Sequence, residues 1–226
     1  KGLAACAKHI PFKFKGKNFL IRASKPVEER FIGNAFMFNE EERSRVLKNP
    51  TGKYNHTELT KPFYDKVRDQ DQVTQMQYID LHLWMTGDIL LKADKMSMAH
   101  SLELRVPFLD RKVMELAEQI PVKDRVTETE TKYAMRLAAL QACPPQTAKK
   151  KKLGFPVPIR VWLKEDKYYN IVKNKFTSPQ SAQFFHTDKL VQLLDDHRAG
   201  KYDYSRKIWT VFSFLVWYDV YFSDNV

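Results

Sequence analysis

The side chains best able to do chemistry concentrate in one run, Asp88 to Asp110, which reads DILLKADKMSMAHSLELRVPFLD. Asp88, Lys92 and Asp94 stand at helical spacing, and Glu103 and Arg105 follow at alternate positions, so charges of both signs converge. A charge on a strand-like face is costly to bury alone. If Glu103 and Arg105 lie inside, they need partners, supplied either by neighbouring side chains or by a charged ligand. A buried structural ion pair accounts for the same spacing. A second concentration of charge, Lys149 to Lys152, lies in a stretch from Ala148 to Pro158 that also holds Gly154 and two prolines. That stretch is too stiff and too basic for an ordinary linker and is a second candidate site, although lysine runs are most often solvated faces.

The elements that must position these groups are read from periodicity. Thr86-Gly87-Asp88 punctuates the chain before a helix from Ile89 to Ala99, in which Asp88 and Lys92 stand at i,i+4 with the acid N-terminal. The period then changes to two: Ser101, Glu103 and Arg105 alternate with Leu102, Leu104 and Val106, and Pro107 disfavours helix before it. Asp110 is placed to cap a helix from Arg111, whose Val113, Leu116, Ala117 and Ile120 form an inward stripe ended by Pro121. Thr127 and Glu130 have capping-box spacing ahead of a helix from Lys132 to Cys143, stopped by Pro144-Pro145. Upstream, the first ~30 residues read as irregular structure around Pro11, Gly16 and Pro26. Asn39 and Glu42 cap a helix ended by Asn49-Pro50, and Gln70 to Trp84 carries Val73, Met76, Ile79 and Leu83 on one face. Downstream, Thr187 to Ala199 is closed by Gly200, and Arg206 to Phe222 is rich in aromatics. The fold class is mainly α, read as one helical unit because no repeat or low-complexity tract divides it.

Composition bounds the function classes. The chain has 226 residues, 43% hydrophobic and 29% charged, which is ordinary for a globular domain. Its two cysteines, Cys6 and Cys143, have no metal or disulfide spacing, which fits a reduced, cytoplasmic setting. Ile208 to Phe222 is interrupted by Thr210, Ser213 and Asp219 and is shorter than the ~20 residues of a membrane span, so it reads as a buried helix. Residue 1 is lysine and no charged-then-apolar leader follows, so the start reads as a cut in a longer chain. The formal charge of +11 suits nucleic acid, an anionic membrane or nucleotide phosphates. The lysines cluster at Lys13, Lys15 and Lys17 and at Lys149 to Lys152 without interleaved aromatics, which argues against single-strand binding. His82, His100, His186 and His197 have no ligand spacing, and no metal ligand is assigned.

Met96 to Asp110, MSMAHSLELRVPFLD, resembles the hallmark MSMA-x-SLE-x-R-x-PFLD of the asparagine synthetase family. Thr131 to Ala138, TKYAMRLA, resembles its TK-Y-LR-A helix, and Lys152 to Pro158 with Trp162-Leu163 resembles its K-x-GF-x-VP…WL element. Order and spacing agree. The resemblance implies the helical C-terminal part of an α/β, PP-loop ATP pyrophosphatase-like synthetase domain. It implies adenylation of the aspartate side chain with ATP and Mg2+, then attack by glutamine-derived ammonia to give asparagine and AMP. The partners implied are aspartate, ATP, ammonia and an N-terminal glutaminase domain. The family's SGG-x-DS and GE-x-x-DE segments do not occur in these 226 residues, so they are not expected to catalyse the reaction alone and most ATP and Mg2+ contacts are expected elsewhere.

By the same resemblance, Lys152 is the first candidate for catalysis, beside the reacting phosphate and carbonyl. Asp88 falls where relatives that close β-lactam rings carry a catalytic acid, although a first-turn acid also favours the helix dipole. Lys92, Asp94, Glu103 and Arg105 are the substrate- and nucleotide-binding candidates. Lys95 departs from the family's usual arginine and lacks its bidentate fork. Met96, Met98 and Leu102 read as core. Two alternatives stand beside this reading: an amide-forming relative acting on another carboxylate, such as a β-lactam synthetase, and a basic helical nucleic-acid-binding module.

Overall fold

The computed structural model describes residues 25–33, 36–50, 55–151, 154 and 157–222. Among these the chain is helical, with isolated β-bridges between Leu47 and Phe185 and between Val126 and Thr131. The helices are α1 (Val27–Arg30), α2 (Glu40–Val46), α3 (His56–Lys66) and α4 (Gln72–Ile79), then a π-helical segment (Asp80–Leu90) that runs into α5 (Leu91–Met98). A 3-10 turn (Pro107–Leu109) precedes α6 (Arg111–Gln119), α7 (Val122–Arg125), α8 (Tyr133–Ala142) and α9 (Pro145–Ala148). The last five are α10 (Ile159–Trp162), α11 (Asp166–Phe176), α12 (Pro179–Phe184), α13 (Thr187–Arg198) and α14 (Ser205–Phe222). Residues 1–24, which include most of the expected irregular N-terminal stretch, Cys6 and the first lysine cluster, lie outside the described residues; of the ~30 residues expected to be irregular, Val27–Arg30 forms a helical turn.

Contacts divide the chain into two compact units, Lys1–Ala35 with Asn55–Leu153, and Phe36–Tyr54 with Gly154–Val226. The sequence read as one helical unit because the exchange between units happens without a Gly- or Ser-rich linker.

Several helix ends follow from local chemistry. Asn39 accepts the Glu42 amide at 2.8 Å while Glu42 accepts the Asn39 amide at 3.1 Å, a complete capping box on α2. Asp110 accepts the Lys112 amide at 2.9 Å to start α6. Gly200, at φ +74°, ends α13 in the left-handed conformation that glycine adopts without penalty. One expected boundary and one expected cap are corrected. Thr86-Gly87-Asp88 does not break the helix: the widened π turn absorbs Gly87, and the Thr86 hydroxyl is satisfied by the His82 carbonyl at 2.6 Å. Thr127 and Glu130 close a turn, with the Glu130 amide on Thr127 Oγ1 at 3.0 Å, whereas α8 starts three residues later after Lys132 at φ 60°.

In the first unit, Val27, Tyr64 and Ile79 are buried beneath Phe31, Phe63, Met76 and Leu83. The Tyr64 hydroxyl donates to the Phe31 carbonyl at 2.8 Å. Burial, reinforced by the charge of Glu28, pushes its pKa up to about 12. Arg125 donates to Gln77 at 2.8 Å and to Thr74 at 2.9 Å, tying α7 to α4. The stripe on α6 is not inward: Leu116 is 64% exposed and Val113 is also open. Met96, Met98 and Leu102, read as core, are likewise exposed. Periodicity shows that a face is apolar, not what covers it.

In the second unit, Phe176, Leu190, Leu194, Ile208 and Leu215 form the centre of a core closed by Val46 and Phe185. The end of α12 with the segment that follows it and the end of α2 are stitched by the Lys48 amide on the Phe184 carbonyl and the His186 amide on the Val46 carbonyl, each at 2.9 Å. Lys207 pairs with Glu42. The expectation that the aromatic C-terminal helix is buried holds for one face only. Ile208, Val211 and Leu215 point inward, while Trp209, Trp217 and Tyr221 are exposed. Among the described residues no helix is long and apolar enough to cross a membrane.

Candidate functional site

Asp88 lies near the end of the π-helical segment, exposed to solvent. The Trp84 indole N–H donates to its Oδ2 at 3.0 Å. That bond replaces the expected i,i+4 pair, since no ion pair joins Asp88 to Lys92 among the described residues. Lys92 and Asp94, on α5, are exposed, and neither side chain is hydrogen-bonded or ion-paired among the described residues.

The chain leaves α5 through Ser101, at φ 55°, with the Leu102 amide on the Ser97 carbonyl at 2.9 Å and the Ser101 amide on the Met98 carbonyl at 3.1 Å. These bonds satisfy the last carbonyls of the helix and turn the chain into the irregular stretch 102–106. Glu103 and Arg105, two residues apart, pair with each other at 2.6 Å. Their side chains are 73% and 83% exposed, so the buried pair is corrected to an exposed one. An exposed pair of this kind contributes ~0–1 kcal/mol to stability. Both groups remain open to a charged ligand.

The lysine-rich stretch follows α9. Lys152, the first catalytic candidate, lies outside the described residues, as does Leu153. Lys149, Lys150 and Lys151 are exposed. The entry to the run is tied down by a residue that sequence reasoning passed over. Arg136, on α8, donates through Nη1 to the Ala148 carbonyl at 3.3 Å and to the Lys150 carbonyl at 3.1 Å. Its Nε donates to the Thr131 carbonyl at 3.2 Å. The available signal was the match to TK-Y-LR-A, in which Arg136 stands at the arginine, and it is also the one charged side chain in the segment YAMRLAALQA.

Burial raises the pKa of Asp80, at the start of the π-helical segment, and its Oδ1 has no hydrogen-bond partner among the described residues. A Cβ placed on Gly33, itself at φ +72°, would come within 2.9 Å of that oxygen. Among the described residues no three His, Cys, Asp or Glu side chains gather where a metal ion could be held.

A family profile described as Asparagine synthase matches residues 11–219. The chain is 43% identical over 220 residues to asparagine synthetase [glutamine-hydrolyzing] 1 of Bacillus subtilis, which covers 97% of this chain and 35% of the relative. It is 38% identical over 226 residues to a putative asparagine synthetase [glutamine-hydrolyzing] of Mycobacterium tuberculosis, covering 100% of this chain and 35% of that relative. A third relative, asparagine synthetase [glutamine-hydrolyzing] 3 of Bacillus subtilis, is 29% identical over 136 residues, covering 55% of this chain and 22% of the relative. The chain thus spans about a third of the length of the first relatives it matches. No solved structure matches it.

Proposed function

The chain belongs to the asparagine synthase family, and from that premise we propose that it is part of the synthetase domain of a ligase that amidates aspartate. In the first step a side-chain carboxylate oxygen of aspartate attacks the α-phosphorus of ATP. The bond to the pyrophosphate leaving group breaks, and β-aspartyl-AMP forms. In the second step ammonia attacks the acyl carbon and gives up a proton, and AMP leaves with the electron pair of the acyl–oxygen bond. The ammonia comes from glutamine through an N-terminal glutaminase domain, a reading supported by the glutamine-hydrolysing activity named for the relatives. The proposed setting is cytoplasmic. Magnesium accompanies ATP and neutralises its phosphates; no step is assigned to a protein-held metal.

Lys152 carries the central role in this reading. Adenylation concentrates negative charge on the transferring phosphoryl oxygens, and amide formation places it on a tetrahedral oxyanion, so one positioned ammonium lowers both barriers. Glu103 and Arg105, exposed and two residues apart, suit an amino acid, which presents one ammonium and one carboxylate. Lys92 faces phosphate in this scheme, with Asp94 beside it on α5, and Asp88 is the acid candidate. The observation that carries the proposal is the family match running from residue 11 to 219, which takes in the hallmark at 96–110, the helix of Arg136 and Lys152 in one order.

Full-length protein supplied with aspartate, MgATP and either glutamine or ammonium is expected to yield asparagine, AMP and pyrophosphate in equal amounts. Lys152→Ala is expected to keep the thermal midpoint and to lower synthetase turnover by ~10²- to 10³-fold, the scale of losing one transition-state donor. Product other than asparagine would move the substrate to another carboxylate, and normal turnover in the variant would remove Lys152 from the chemistry.

A further inference from the structure

Two residues other than glycine take a positive φ among the described residues, Ser101 at 55° and Lys132 at 60°. In this region a Cβ crowds the neighbouring carbonyl, so any residue but glycine is strained. Ser101 closes α5 through two bonds, the Leu102 amide on the Ser97 carbonyl at 2.9 Å and the Ser101 amide on the Met98 carbonyl at 3.1 Å. The same closure ends α13. There the Lys201 amide bonds the Asp196 carbonyl and the Gly200 amide bonds the His197 carbonyl, each at 3.0 Å, and the left-handed residue is Gly200 at φ +74°. Glycine is the common residue at this point of such a closure because it adopts the conformation without strain. A serine there gives up stability that glycine would keep. The fold does not recover that loss through the side chain. Ser101 is exposed, and its hydroxyl has no hydrogen-bond partner among the described residues. Ser97, one turn earlier, returns its hydroxyl to the Asp94 carbonyl at 3.0 Å, as a serine that serves only its helix does. The free hydroxyl of Ser101 stands at the head of the exposed stretch on which Glu103 and Arg105 pair in the open.

We propose that Ser101 is a further binding residue of the synthetase site, its hydroxyl donating to an anionic oxygen of the bound substrate, either a carboxylate oxygen of the amino acid or a phosphoryl oxygen of the nucleotide. This rests on the reading of Glu103 and Arg105 as substrate-binding groups given above. Strained residues persist where their side chains are used, and here the use lies outside the fold. The two closing bonds fix the backbone at Ser101, and a serine hydroxyl is one rotatable bond away from it, so the donor is held in place without a long flexible stem.

The test compares Ser101→Gly, Ser101→Ala and Gly200→Ser with the parent, all in the full-length protein. Ser101→Gly removes strain and hydroxyl together, and it is expected to raise the thermal midpoint while lowering kcat/KM of the synthetase step ~10-fold, the scale of one hydrogen bond to a charged group. Ser101→Ala keeps the strain and removes the hydroxyl, so it is expected to lose the same factor with no rise in midpoint. Gly200→Ser places a serine in the matching turn of α13 and is expected to lower the midpoint with kcat/KM unchanged. A raised KM for aspartate assigns the hydroxyl to the carboxylate; a raised KM for ATP, or a lowered kcat with both KM values kept, assigns it to a phosphoryl oxygen. Parent protein that makes asparagine, with both Ser101 variants within ~2-fold of its kcat/KM, would overturn the inference and leave the proposed function standing. A loss in Ser101→Gly that Ser101→Ala does not share would also overturn it, because stiffness of the turn rather than the hydroxyl would then be at work. Parent protein that makes no asparagine from aspartate, MgATP and ammonium would overturn the proposed function, and the role of Ser101 with it.

Discussion

Asp80 and Asp88 share one π-helical segment and differ through their surroundings. Asp88 is open to solvent and receives the Trp84 indole, whereas burial raises the pKa of Asp80 above the ordinary 3.8. For a carboxyl whose folded pKa lies above its unfolded value, the favourable contribution is complete below the unfolded pKa and is lost as pH rises through the folded one. At neutral pH the ionised Asp80 therefore costs stability. Asp80→Asn is expected to raise the thermal midpoint by a few degrees at pH 7, with the advantage gone near pH 3.5. Melting curves at the two pH values check this, and an equal shift at both would mean that packing rather than charge was altered. The pairing of Glu103 with Arg105 was visible in their spacing, but its exposure was not, because two neighbouring charges pair equally well on a surface and in a core.

At the scale of elements, His197 joins three pieces of the second unit. Its Nε2 lies 3.0 Å from the Arg160 carbonyl on α10, and its Nδ1 accepts the Tyr204 amide at 3.2 Å. A neutral ring with its proton on Nε2 satisfies both, and the side chain is 1% exposed. His197→Ala would leave a carbonyl and an amide without their partner and open a cavity, at a cost of ~2–4 kcal/mol. Urea unfolding should show a lower midpoint at an unchanged m-value; a shift below ~1 kcal/mol would contradict this account of the contact. Element ends such as Asn39 to Glu42 and Asp110 to Lys112 were readable, since donor and acceptor lie two or three residues apart. The bond from His197 to Arg160 and those from Arg136 to Ala148 and Lys150 were not, since the partners lie 37 residues away in one case and 12 and 14 in the other.

Burial is uneven across the molecule. The core of the second unit includes eleven buried residues around Leu190, Leu194 and Leu215, whereas α6 has none. Amide exchange is expected to be slowest in α11, α13 and α14 and fast in α6. Leu194→Ala should cost ~2–5 kcal/mol and Leu116→Ala under ~1 kcal/mol, measured by chemical denaturation of the same 226-residue chain. Similar losses at the two sites would mean that the α6 stripe is covered after all.

The sequence by itself determined the family, the helical class, most helix starts and the short list of charged residues that could meet a substrate. Each of these depends on residue type and on spacing within a turn or two, which a linear string records. Tertiary structure decided which apolar faces are covered, that Asp88 takes Trp84 rather than Lys92, that Glu103 and Arg105 pair in the open, and that one arginine holds the entry to the lysine run. Those outcomes depend on which of several neighbours a side chain meets and on what packs over each face, and no local periodicity encodes either.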